Sequence, residues 1–324
     1  MSPATVSRYL NGRYEAMSAE TRKRVAEVIR QTGYRPSAAA RSLRTDRTST
    51  IGVVMADIAN PYSGAMLEEL DRRAAPLGYS LMCAASGNDV GREEEAIRRL
   101  LAAGIDGLVV NSCAPGASEA RALVEASRTM PVVLLDRDVP GTGLGLVTSD
   151  NARLVGELAS QMGIGGARRA YLLTERDATS DVRRERAEAF AAALEAASLE
   201  GGVVALGPVA ERNAEVVRGL LEDGRGLAGL VAVNGPVLLR LAEALEALGA
   251  HVPQDALVAT FDDYAWNRVL FGGITTAVQD TAAIAEVVMA RLLSPGEPGA
   301  RRREVPGHVI VRASTRGVAG RPSR

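Results

Sequence analysis

Cysteine and histidine are nearly absent: the 324 residues hold two cysteines, Cys83 and Cys113, and two histidines, His251 and His308. Neither cysteine has metal-ligand spacing, and both fall in expected strands, so they read as buried free thiols of a reducing compartment. His251 precedes a Val-Pro turn and His308 lies beside a late strand, neither near a convincing nucleophile. The Gly163-Ile164-Gly165-Gly166 and Gly141 to Gly145 runs lack the full spacing of a dinucleotide fingerprint and read as turns. No apolar run reaches the length of a membrane span, and no charged-then-apolar leader with a cleavage site is visible. These gaps argue against an enzyme, a metal or cofactor site and a membrane partner, and for a cytoplasmic protein.

What is present is enough apolar material, 47%, to fill more than one core, in a chain too long for a usual single domain. The net charge of −1 hides an uneven distribution. Residues 1–48 carry ten basic and four acidic side chains, a surplus of six, whereas the remainder has a deficit of seven. Such a head suits nucleic acid, and such a body is repelled by it; a merely solvated basic face is the plain alternative.

The basic region has helical punctuation. In the stretch from Ser2 to Gly12, Ser2 can cap the first amides, Pro3 suits the first helical position, and Asn11-Gly12 ends the run. Val6 and Leu10 share an apolar stripe, while Thr5, Ser7 and Arg8 lie off it, offering hydroxyls to phosphates and a guanidinium fork to a guanine edge. On this stretch alone, a frayed surface helix is an equal alternative. Ser18 is a second cap, Glu20 sits in the next first turn, and Thr21, Val25, Val28 and Ile29 form an apolar face before Gly33. Ser37 to Arg44 reads as a third, coreless helix with Leu43 exposed, and Thr45 to Thr50 as a polar linker.

Beyond the linker, short β-rich runs alternate with helical patterns. Strands are expected at Ile51 to Ala56, Ser80 to Ala84, Gly107 to Asn111 and Val132 to Leu135, then near Tyr171 to Leu173, Val203 to Leu206, Leu230 to Val233 and Leu257 to Phe261. Helices fall between them, including Asn151 to Met162, Val182 to Ala197 and Val237 to Leu248. This is the signature of parallel sheets covered on both faces, in two similar α/β halves. Ligands bind at the carboxyl ends of such strands, and two facing edges make a closable cleft. Asp136, Asn234 and Asp262 each follow a strand, although each alone also suits a cap or turn. Asp262-Asp263 is read as a cleft contact plus a helix cap, not as a paired-carboxylate catalyst.

Thr5-Val6-Ser7-Arg8 with Leu10-Asn11, Ser18 with Thr21-Arg22 and Val25, Gly33-Tyr34 with Pro36, Ala40-Arg41 with Leu43, and Ile51-Gly52-Val53-Val54 leading to Asn60-Pro61-Tyr62 occur in that order. In these motifs the chain resembles the lactose-repressor (LacI/GalR-type) family of bacterial transcription regulators. The resemblance implies that the first helix enters the major groove with Pro3, Ala4 and Arg8 facing bases and Thr5 and Ser7 on phosphates. Arg22, Ala40 and Arg44 would join that interface, with Leu43 as a minor-groove wedge. It also implies a helix ahead of Pro3. Met1 stands where the family commonly has Val, so the expectation is a start placed too late, an incomplete, loosely ordered head, and Val6, Val25 and Ile29 short of cover.

In the core, the family's ligand-contacting Asp, Asn and Asp match Asp136, Asn234 and Asp262. Its cleft Arg matches Arg186, its late polar contact matches Gln279, and Tyr62 can stack on a sugar or purine ring. Gly235 replaces a usual Asp, and Gly272-Gly273 a usual Pro pair. The expected organisation is a head and hinge helix at 1–48 and an effector-binding core at 49–324. The first core half takes about 50–148 and 279–300, the second about 149–278 and 301–316. The expected function is a dimeric, ligand-responsive repressor reading operator DNA, its effector a sugar or related small polar molecule. The alternative is a cytoplasmic small-molecule binder with a non-functional head.

Overall fold

Ser18 Oγ accepts a hydrogen bond from the Thr21 amide at 3.2 Å, which starts the longer helix of the head where the sequence places it. The computed structural model describes residues 3–10, 13–15, 17–32, 47–175, 181–222, 226–294 and 300–316. Within the head, α1 (Pro3–Leu10) and α2 (Ala19–Thr32) lie together. The Tyr9 and Tyr14 rings meet edge to face at 5.7 Å, and the Arg22 guanidinium stacks 3.9 Å over Tyr14. Val25, expected to want cover, is buried, while Val6 and Ile29 are half-buried. The end of the linker is anchored: Asp106 accepts from the Thr48 amide at 3.0 Å and the Ser49 amide at 2.8 Å.

Runs of Val, Leu and Ile form the sheets, because a parallel strand covered on both faces has no polar side. The first lobe contains β1 (Thr50–Met55), α3 (Pro61–Ala74), β2 (Ser80–Ala85), α4 (Val90–Ala102), β3 (Gly107–Val110), α5 (Arg121–Ala126), β4 (Val132–Leu135) and β5 (Gly145–Ser149). The second contains α6 (Asn151–Ile164), β6 (Arg169–Glu175), α7 (Asp181–Ala197), β7 (Glu200–Leu206), α8 (Ala210–Glu222), β8 (Ala228–Ala232), α9 (Gly235–Ala247), β9 (Ala256–Phe261) and β10 (Thr275–Val278). The chain then returns to the first lobe through α10 (Thr281–Leu293) and β11 (Arg302–Val305), and ends in the second with β12 (His308–Ile310). The two sheets have matching orders, β11-β5-β4-β3-β1-β2 and β12-β10-β9-β8-β6-β7. Among the described residues, every pairing is parallel except that of β12 with β10. Core residues lie on both faces of the first sheet, Met66, Leu70 and Ile284 on one and Ile97, Leu100 and Leu123 on the other.

Three chain crossings join the lobes, and hydrogen bonds tie them together. Ser149 Oγ donates to Gln279 Oε1 at 2.7 Å, and the Gly307 amide donates to Asp150 Oδ1 at 2.9 Å. Arg153 reaches the Gly307 carbonyl at 2.7 Å. A methyl group on Gly307 would stand 2.4 Å from the Val278 carbonyl oxygen, so this crossing needs glycine for close backbone approach.

The structure corrects several expectations. Residues 301–316 do not all belong to the second half, because β11 pairs in register with β5 of the first sheet, Arg302 opposite Leu146. Strand β5 begins at the Gly that closes the Gly141 to Gly145 run. Cys83 is exposed, because β2 is an edge strand with an uncovered face, and Cys113 is half-buried beyond β3. Burial and the adjacent Glu93 push the Cys113 thiol up to about 12. Asp263 is no helix cap; it makes a two-pronged pair with Arg312 at 2.6 and 2.8 Å. No helix among the described residues is long and apolar enough to cross a membrane.

Candidate effector cleft and DNA-facing head

Asp136 and Asp262 occupy equivalent places, each just past the carboxyl end of the corresponding strand, β4 in one lobe and β9 in the other. Both adopt left-handed backbone, φ 65° and 68°, and both amides donate to the adjacent strand, to the carbonyls of Val147 (2.7 Å) and Ala277 (2.9 Å). That conformation costs a non-glycine residue about 1 kcal/mol or more and recurs at ligand sites. Here it lies at the two facing sheet edges.

All six expected effector residues, Tyr62, Asp136, Arg186, Asn234, Asp262 and Gln279, line one small cavity between the lobes. Asn60, Arg137, Val182, Arg183 and Val233 complete the wall. Arg186, on the second turn of α7, sits 3.8 Å over the Phe261 ring. It donates through Nε to Asn151 Oδ1 and through Nη1 to the Val233 carbonyl, both at 2.8 Å. Its orientation is therefore set before any ligand arrives. Asn234 does both jobs its position allows: Oδ1 caps α9 by accepting from the Val237 amide at 2.9 Å, while the residue borders the cavity. Gln279 donates to Asp262 Oδ1 at 2.7 Å, and Tyr264 donates its hydroxyl to Asp262 Oδ2 at 3.1 Å. Burial raises the Asp262 carboxyl, opposed by the Arg186 charge and by these two donors. Burial, with Asp136 and Asp262 adding to it, also raises the Tyr62 hydroxyl, which stays neutral and a donor.

Sequence reasoning missed Arg137, Arg183 and Tyr264. Arg137 is the immediate neighbour of a marked residue, and Arg183 stands three before Arg186 on the same face of α7, a spacing that offered a signal. Tyr264 had none. Its ring lies so close to Gly235 that a methyl group there would stand 2.5 Å from it, which explains glycine where the resemblance calls for Asp. Gly272 and Gly273 have φ of 72° and 111°, outside proline's reach, so that loop is built differently from a Pro pair.

The lobes also meet outside the cavity. Asp181 Oδ2, at the start of α7, accepts from the Asp138 amide of the first lobe at 2.8 Å. Arg302 of β11 grips both oxygens of Glu185 on α7 at 2.7 and 2.8 Å. Burial, with nearby Asp136 and Asp138, pushes the Asp181 carboxyl up to about 6 against the two backbone donors that favour its charge. A wider hollow bordered by Gly165, Leu221, Leu248 and Pro253 lies at the amino ends of β6, β8 and β9 and gathers none of the expected residues.

In the head, Ala4 and Arg8 are exposed on α1, Thr5 is half-buried, and exposed Arg22 is oriented by Tyr14. Pro3 and Ser7 lie on α1. Ala40, Leu43 and Arg44 fall outside the described residues.

Matched α/β lobes closing on a polar cavity, joined by three crossings and preceded by a basic helical head, define a two-lobed, periplasmic-binding-protein-like core coupled to a separate N-terminal module. Residues 51–294 match the periplasmic binding protein domain, and residues 1–37 match the model of bacterial regulatory proteins, lacI family. The chain is 32% identical to the HTH-type transcriptional regulator KdgR of Bacillus subtilis (strain 168), over 97% of this chain and 94% of that one. It is 34% identical to the HTH-type transcriptional regulator PtxS of Pseudomonas plecoglossicida, over 97% and 92%. A crystal structure of the Lac repressor bound to ONPG, 22% identical, shares the fold with a TM-score of 0.83 over 97% of this chain and 96% of that one. This chain belongs to the lacI family of bacterial regulatory proteins.

Proposed function

We propose that this protein is a ligand-responsive, sequence-specific transcription regulator, a repressor whose effector binds in the interlobe cavity and changes the affinity of the head for operator DNA. The observation that carries the reading is the pairing of two separate sites in one chain: the head within residues 1–37 and a cavity that collects all six expected polar and aromatic residues. The ribose operon repressor of Halalkalibacterium halodurans, 26% identical over 98% of this chain, supports a sugar-like effector. The Lac repressor, crystallised as a dimer on operator with the anti-inducer ONPF, supports a homodimer on a two-fold operator. Arg8 and Ala4 face bases, Thr5 and Arg22 serve phosphates, and Leu43 acts as the wedge.

The protein works in the cytoplasm, where DNA is, and performs no catalysis; the cavity's carboxylates and guanidiniums bind hydroxyl and acidic groups. The alternative, a binder with a silent head, lacks an observation in its favour. The experiment is selection of DNA sites from a random pool by the purified chain, then titration of the selected site with candidate effectors. Enrichment of a two-fold site released or tightened by a small molecule is expected. Recovery of random sequence alone would reject the reading.

A further inference from the structure

The cavity wall holds three guanidiniums, Arg137, Arg183 and Arg186, against two carboxylates, Asp136 and Asp262. Arg183 is engaged by Glu175, which also accepts from Asn234 at 3.4 Å. Arg186 is buried and, among the described residues, donates to an amide oxygen and a carbonyl. Arg137, half-buried, donates Nη1 to Asn88 Oδ1 at 2.8 Å. Arg186 has the buried Asp262 charge near it, whereas no carboxylate among the described residues forms an ion pair with Arg137. Burial holds the Arg183 guanidinium below its ordinary value, and neighbouring Arg137 and Arg186 push it the same way against Glu175 and Asp136. The cavity also has an unmet acceptor: Asp136 Oδ1 is buried without a partner among the described residues.

We propose that the effector is an anionic polyol, a small polyhydroxylated acid whose carboxylate or phosphate is held by Arg137 beside Arg183 while a hydroxyl donates to Asp136. This rests on the regulator reading above and names its ligand class. Arg137 comes from the first lobe and Arg183 from the second, so an anion between them bridges the lobes and favours their closure. A neutral ligand satisfies Asp136 but leaves Arg137 with one neutral partner. Arg137 is thus the residue that sets the charge preference of the site.

The test is calorimetric titration of the full chain with matched pairs: ribonate and ribitol, gluconate and glucitol, galactonate and galactitol, with the phosphates of the same alditols as a third arm. Each pair differs at the terminal carbon and keeps the other hydroxyls. At least one acid or phosphate is expected to bind about tenfold or more tightly than its neutral partner, the size of one charge-assisted hydrogen bond. The tighter of the carboxylate and phosphate arms identifies the anion. Arg137→Gln is expected to bring that pair level, and Arg137→Lys to keep the preference, with thermal melting of each variant checking the fold. Alditols binding as tightly as every acid and phosphate, no acid or phosphate binding at all, or a preference that survives in Arg137→Gln would each overturn the proposal. DNA-site selection without ligand is read separately. A chain that selects an operator yet responds only to neutral polyols overturns the anion assignment and leaves the regulator intact.

Discussion

Asp181 carries a pH signature at the contact between the lobes. Its carboxyl titrates at about 6 in the folded chain against an ordinary value near 3.8, so between these the folded state holds a proton that the unfolded chain has lost. Stability from this group is therefore full below about pH 4 and is lost as pH rises through about 6. Asp181→Asn keeps an oxygen for the Asp138 amide and removes the charge. It is expected to raise the thermal midpoint above about pH 6 and to leave it unchanged below about pH 4, as followed by calorimetry across pH. A midpoint gain that is the same at every pH would mean that the carboxyl's charge is not what burial penalises. In the head, exposed Arg8 is expected to read a base edge: Arg8→Ala should cost about 1–3 kcal/mol of discrimination in site-selection assays, with smaller loss on random DNA. Some residues were legible before the fold. Asp136, Asn234 and Asp262 each stand directly after a β-rich run, where a parallel sheet presents its ligand edge. Tyr264 was not, because its place depends on long-range packing with no local pattern.

At the scale of elements, strand β4 is read from the sequence with its actual bounds, Val132–Leu135, because an uninterrupted Val-Leu run between turn residues has one good solution. Strand β11, Arg-Arg-Glu-Val, escaped notice for the opposite reason. It is a charged edge strand, and charge on an edge discourages pairing with other molecules at the expense of the apolar signature that identifies a strand. The same strand decides which lobe residues 301–305 belong to, so one unread element displaced a domain boundary. The glycine of the crossing that follows it is the element-level test. Gly307→Ala forces a methyl group against the Val278 carbonyl and the Leu154 side chain, with an expected loss of about 1–3 kcal/mol in urea unfolding. A variant as stable as the parent would show that the crossings can separate without cost.

The whole molecule places a basic module beside an acidic body, a surplus of six positive charges against a deficit of seven. Long-range attraction to DNA therefore favours the head over the body. Coupling between two such distant sites requires an element with two states that both ligands bias. The lobes, tied by three crossings and by the Asp181–Asp138 and Arg302–Glu185 contacts, are the candidate for that element. The most direct measurement is the affinity of the chain for its selected operator by fluorescence anisotropy, with and without saturating effector, for the parent and for Arg186→Ala. The parent is expected to change affinity about fivefold or more on adding effector. Arg186→Ala should bind operator as the parent does without effector, and should not respond. A variant that responds at the same effector concentration as the parent, or a parent whose operator affinity is indifferent to every ligand that fills the cavity, would contradict control of the head by the cleft.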